Sequence, residues 1–172
     1  MAELPILLYP DPALRETCQL IEDIDERIRT IAADMVETVH AAPGVGLAAP
    51  QVGELVRLVV VDLSVGEDSS QLHVLVNPDI VSTEGEEVEA NEGCLSFPDI
   101  FEMIKRPERV HVRALNIEGK EILFNAQDRL GRVLLHEIEH LDGKLFVDRL
   151  NRLKRELIKR RMKKRIKASP AA

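Results

Sequence analysis

His136 and His140 stand four residues apart with Glu137 directly after the first, an arrangement that puts two imidazoles on one helical face and a carboxylate beside them. This is the HExxH spacing of metal-dependent hydrolases. A catalytic divalent metal takes three protein ligands and leaves a further position for water, so the stretch LLHEIEHLDG, 134–143, leaves one ligand to be found elsewhere. The continuation HExxHxxGxxH would need a histidine where the chain has Phe146, which binds no metal. A glutamate from the next helix would be Glu156, embedded among lysines and arginines. Upstream, Cys94 in EGCLSFP, 92–98, offers a thiolate suited to zinc or ferrous iron, with Gly93 beside it to admit close backbone approach. A lone cysteine also reads as a small buried hydrophobe.

A third stretch, APGVGLAAPQ at 42–51, fits the dinucleotide pattern GxGxxA. That motif needs a strand before it and a helix after it, whereas here a helical pattern precedes it and Pro50 breaks the segment on its far side. It reads instead as a small-residue loop against which another chain can lie, ending in Gln51, whose amide can donate a hydrogen bond.

The elements that must position these groups emerge from periodicity. Residues 21–42 place Ile24, Ile28, Ile31, Met35 and Val39 at helical spacing, with Asp23 or Asp25 to cap the start. From 56 to 124 the texture is that of short strands: VRLVVVDL, LHVLV, IVST, RVHVRALN and KEILF, with Glu118-Gly119 as a hairpin turn. Helical periodicity returns after Phe124, with Asn125 as N-cap, an apolar face of Leu130, Val133, Leu134, Ile138 and Leu141, and Gly143 at the end. The tail predicts a basic amphipathic helix over 148–168, with Leu150, Leu153, Leu157, Met162 and Ile166 on one side. The fold class is therefore α+β, with short antiparallel or mixed strands packed around a central HExxH helix and helices near both ends. Residues 1–172 read as one domain.

Composition narrows the function. Hydrophobic residues at 45% and charged residues at 31% describe a globular chain, and 3% aromatics with no Trp argue against a base-stacking nucleic-acid platform. MAELPILLYPDP lacks a basic leading region, and Pro5 and Pro10 break its apolar run, so no signal peptide is expected. No apolar run reaches membrane-spanning length. Cys18 and Cys94 cannot make a disulfide framework, which points to the cytoplasm. Residues 151–167 hold ten Lys or Arg against Glu156 alone, a net of +9, so the remainder carries −16 of the overall −7. A body that acidic with a tail that basic suggests a separate partner for the tail.

Taken together, GVGLAAPQ, EGCLS and HEIEH match, in order, the GxGxAAxQ, EGCxS and HExxH motifs of the peptide deformylase family, which the chain resembles over most of its length. The resemblance implies a metallohydrolase that removes the formyl group from the N-terminal methionine of nascent chains. Cys94, His136 and His140 would hold one divalent metal, ferrous iron in the cell, with zinc or nickel as replacements. Glu137 would act as general acid/base for a metal-activated water, and Gln51 and the Leu95 N–H would stabilise the oxyanion. The peptide would add as a strand against Val45, Gly46 and Gly93, with Val45 and Val133 at the methionine pocket. A basic tail helix in this family implies docking on the ribosome; the chain is expected to be monomeric and to have no membrane partner.

Two positions depart from the family's QHExDH, namely Leu135 and Glu139. Glu139, one methylene longer than aspartate, can still support a ligand histidine or an arginine. Glu92 is expected to pair with a base such as Arg106 and hold the EGC loop. His40, His73 and His111 carry no motif and read as surface or strand partners, and Cys18 as structural. Two rival readings remain: a metallopeptidase acting on ordinary peptide bonds, and a closed structural zinc knot with Cys18 as a fourth ligand in an RNA-binding protein. A closed knot would leave Glu137 without a role.

Overall fold

In LVVVD at 58–62 the first four positions are apolar without a break, so both faces of a strand there need cover. In the computed structural model, which describes residues 2–168, this segment is strand β2 (Leu58–Asp62). It lies between β1 (Gly46–Ala48) and β3 (Leu72–Cys94), with β4 (Phe97–Leu115) and β5 (Glu121–Gln127) following in chain order, every neighbouring pair antiparallel. Leu58 and Val60 pack with Ile28, Ile31, Met35 and Val39 of helix α1 (Glu26–Ala41). Val59 and Val61 point the other way, to Leu134, Leu135 and Ile138 of helix α2 (Asp128–His140). Burying each such side chain stabilises the fold by about 1.5–3 kcal/mol, so this strand fixes α2 against the sheet.

A third cluster joins Phe97, Ile100 and Ile104 of β4 to Phe146 and to Ile158 and Met162 of helix α3 (Arg152–Ala168). Among the described residues no helix is long and apolar enough to cross a membrane.

Several boundaries differ from the sequence expectation. Asp25, one of the two expected caps, accepts from the Ile28 N–H at 3.0 Å, so α1 starts at Glu26 and Ile24 falls outside it, while the Ile21 N–H is taken by Asn77 Oδ1 at 2.8 Å. The expected cap Asn125 instead lies in β5, where its side chain bonds His111 across the sheet; α2 begins at Asp128. Gly143 does come just after the helix in the left-handed region, at φ 71°. α3 begins at Arg152, and its packed face is the pair Ile158 and Met162. Leu153, Leu157 and Ile166, expected on the packed stripe, are exposed, because the helix meets the body along a single i, i+4 row.

The larger difference is the β3–β4 ribbon. EGEEVEANEG, 84–93, carries no strand signal, yet it pairs residue by residue with 101–109, and register shifts at Val76/Asp79, Ile80/Ser82 and Glu84/Glu87 break the regular pairing along the way. The ribbon turns at Leu95-Ser96, which brings Cys94 back toward α2.

Candidate active site

α2 places His136, Glu137 and His140 on its buried side, each under a tenth exposed. Across from them, Cys94 closes β3. Cys94 Sγ lies 3.4 Å from His140 Nε2, and the donor atoms of Cys94, His136 and His140 all fall within 4.8 Å of one another, a group that could hold a metal ion. Phe146, at the place of a third histidine, packs its ring 5.7 Å from that of His136. Glu156 is exposed on α3. Cys18 is buried in the core cluster behind α2, its thiol pushed up to about 11 by burial, and it is not part of the donor group.

The donors fit a cation. His136 Nδ1 bonds Glu92 Oε1 at 2.6 Å, which leaves Nε2 for the cluster and fixes the ring. Burial works against a positive charge on His136, but Cys94 and Glu92 outweigh it and hold its pKa well up; burial and the neighbouring His136 push His140 well down. The field that holds one positive charge here also suits a divalent cation.

Behind Glu92 runs a chain of ion pairs. Arg106, fully buried, gives Nε and Nη2 to Glu92 at 2.8 and 2.6 Å and Nη1 to Glu139. Arg149 holds the other Glu139 oxygen at 2.9 Å, and Arg132 Nη1 reaches Glu92 at 3.0 Å. Burial alone would raise the Glu92 pKa, but the bonds from Arg106 and His136 hold it well below the usual carboxylate range.

Glu137 has the opposite surroundings. Its Oε2 is buried and finds no partner among the described residues, and burial raises its pKa to about 7. A carboxyl poised there can both accept and return a proton near neutrality. Its other oxygen lies over Gly46, where a Cβ would sit 2.7 Å away; only glycine leaves that room. Gln51, 1% exposed, accepts from the Ala48 N–H at 2.9 Å, which turns its Nε2 to Ser96 Oγ at 3.1 Å and Cys94 Sγ at 3.6 Å. A cavity of about 740 Å³ opens in front, lined by Val45, Gly46, Gly93, Leu95 and Val133 together with Cys94, His136 and Glu137. Gln51 and His140 stand behind that lining.

This geometry has close counterparts. The polypeptide deformylase family model matches residues 3–156. The chain belongs to the polypeptide deformylase family. It is 47% identical over 171 residues to the peptide deformylase of Syntrophobacter fumaroxidans, spanning 99% of this chain and 100% of that one. The crystal structure of a peptide deformylase from Legionella pneumophila superposes with a TM-score of 0.92 at 41% identity, covering 99% of each chain. That of the Ehrlichia chaffeensis peptide deformylase in complex with actinonin gives 0.89 at 38%, covering 96% of this chain and 98% of that one.

Within this deformylase fold the two departures have separate settings. Leu135 is buried in the apolar cluster between α2 and the sheet. Glu139 reaches two arginines, Arg106 and Arg149, and neither His136 nor His140. The other histidines are partners in structure: His40 pairs with Asp62 at 2.7 Å, His73 meets the Phe124 ring edge-on, and His111 bonds Asn125. Sequence reasoning assigned no role to Ser96, Arg132 or Arg149. Ser96 lies inside EGCLS, so its position in the motif was the available signal; the two arginines carry none, since their partners are set by tertiary packing.

Proposed function

We propose that this enzyme removes the N-formyl group from the N-terminal methionine of nascent polypeptides and releases formate. The observation that carries this reading is the meeting of Cys94, His136 and His140 within 4.8 Å, beside a buried Glu137 oxygen that has no partner among the described residues. These three residues hold one divalent metal, ferrous iron in the cell with zinc or nickel as substitutes, as suits a sulfur and two imidazoles. When bound, the metal lowers the pKa of a water and polarises the formyl carbonyl.

The chain's own groups do the rest. Glu137 takes a proton from the attacking water and delivers it to the departing amine. Gln51 Nε2, already aimed past Ser96 toward Cys94, and the backbone N–H of Leu95 donate to the oxyanion. β1 is the last strand on its side of the sheet, so its outer edge offers Gly46 to an added peptide strand, with Val45 just before it on the cavity wall and Gly93 opposite. Val133 and Val45 line the methionine pocket. Residues 1–172 act as one catalytic unit in the cytoplasm, as a monomer, and the basic α3 docks it on the ribosome through phosphate contacts.

Formyl-Met and free-amine Met peptides of one sequence, offered to metal-loaded protein, test the reaction. Formate release from the first and no cleavage of either backbone is the expected result. Cleavage of the free-amine peptide would assign the site to a metallopeptidase instead.

A further inference from the structure

The cavity carries more charge than the reaction uses. Glu92 is neutralised by Arg106 and Arg132, and Asp99 at the rim pairs with Arg165 at 2.8 Å. The Arg132 guanidinium is consumed by Glu92 and the carbonyls of Ile104 and Val88. Setting Glu137 aside for the chemistry, that leaves Arg129, exposed on the first turn of α2 and lining the same cavity, with no hydrogen bond or ion pair among the described residues.

Arg129, Val133 and Glu137 fall at i, i+4 and i+8, on one stripe of α2 facing the cavity. At 1.5 Å per residue, Arg129 stands about 12 Å along the helix from Glu137. An extended peptide advances about 3.3 Å per residue, which brings its second and third residues within reach of a long arginine side chain. Between Arg129 and Glu137 on α2 stands Val133, and with Glu137 set aside the other charged side chains on the lining are paired, so the Arg129 guanidinium is the free charge that such residues meet among the described residues. A guanidinium pairs best with a carboxylate. The chain as a whole, at −7, repels acidic peptides, so attraction to them has to be local.

We infer that Arg129 sets substrate preference, favouring an acidic side chain at the second or third residue of the formyl-Met peptide over a basic one. This rests on the peptide occupying the cavity as proposed above. The test compares kcat/KM for formyl-Met peptides with Glu or Lys at those positions, in the parent and in Arg129→Glu. The parent is expected to favour Glu by about two- to fivefold at low salt, and the variant to reverse the order. The ratio should shrink toward one at 1 M salt, where screening acts within about 3 Å.

The same pairs of peptides are also titrated by calorimetry into metal-loaded Glu137→Gln, with and without Arg129→Glu, so that selectivity is read without turnover. Absence of formate release from the parent would retire the deformylase reading while the affinity ratio still judges Arg129. A Glu:Lys ratio that Arg129→Glu leaves unmoved overturns the inference.

Discussion

Along α2 the spacing of His136, Glu137 and His140 is set by one run of backbone hydrogen bonds, whereas Gln51 and Cys94 on the facing wall lie 43 residues apart in sequence and meet through side chains. The first wall is preorganised by the helix itself. The second depends on the Gln51–Ser96 contact and on Arg106 joining Glu92 to Glu139. Changes on the helical wall should therefore remove chemistry and leave the fold, and changes on the facing wall should remove the fold's grip on the site.

The largest effect expected is on the helical wall. Glu137→Gln keeps the shape and loses the proton acceptor, so turnover should fall by about 10²–10⁴ while metal content and thermal midpoint stay at the parent's values. Full activity would place the base elsewhere. On the facing wall, Arg106→Met removes the cation shared by Glu92 and Glu139 and strands a buried carboxylate. A loss of about 3–5 kcal/mol in urea unfolding is expected, with part restored by adding Glu92→Gln. A cost under about 1 kcal/mol would mean that apolar packing, not the ion pairs, holds that wall. Cys94→Ala joins the two walls through the metal: bound metal should be lost, and with it the stabilisation a ligand gives, about 2.7 kcal/mol at a hundredfold excess over its dissociation constant. A chelator should then lower the thermal midpoint of the parent and leave that of the variant unchanged. Metal retained in the variant would point to a different ligand.

The same contrast explains what could be read from the sequence. HEIEH, the apolar faces of α1 and α2 and the apolar run Leu58–Val61 of β2 are local patterns, and each marks its element directly. Cys94 was legible as a candidate ligand, and the family motifs selected it among the alternatives. The long ribbon was not legible, because EGEEVEANEG becomes a strand only through pairing with 101–109 and has little apolar face of its own. The exposed leucines of α3 misled for the complementary reason: periodicity finds an apolar stripe but not which part of it meets the body. The pairing of Glu92 with Arg106 was legible, but Arg106 lies in a polar stretch, KRPER, and nothing in that stretch marks it as fully buried or points to its second carboxylate partner, Glu139 of α2.

The smallest effect tests whether the walls are separable. Asp62, at the end of β2 with its side chain 1% exposed, accepts from His40 Nε2 at 2.7 Å, from Ser64 Oγ at 2.6 Å and from the N–H groups of Ser64 and Gly66. Its own N–H holds the Val45 carbonyl at 2.8 Å, next to the start of β1. Burial alone would raise its pKa, but the bonds from Ser64, His40 and Gly66 bring it below the ordinary 3.8. A depressed folded pKa means that this contribution is fully present above the unfolded value and is lost as pH falls through the folded one. Asp62→Asn should therefore cost about 1–2 kcal/mol at neutral pH and progressively less as pH falls below about 4, where the unfolded chain's carboxylate takes up its proton first, until the lowered folded value is passed and the parent's own carboxylate is protonated as well. Hydrogen exchange should place the loss at Val45 to Leu47 and leave the α2 amides protected. If α2 loses protection to the same extent, the two walls open together, and the division between a helical wall and a side-chain wall fails at this corner.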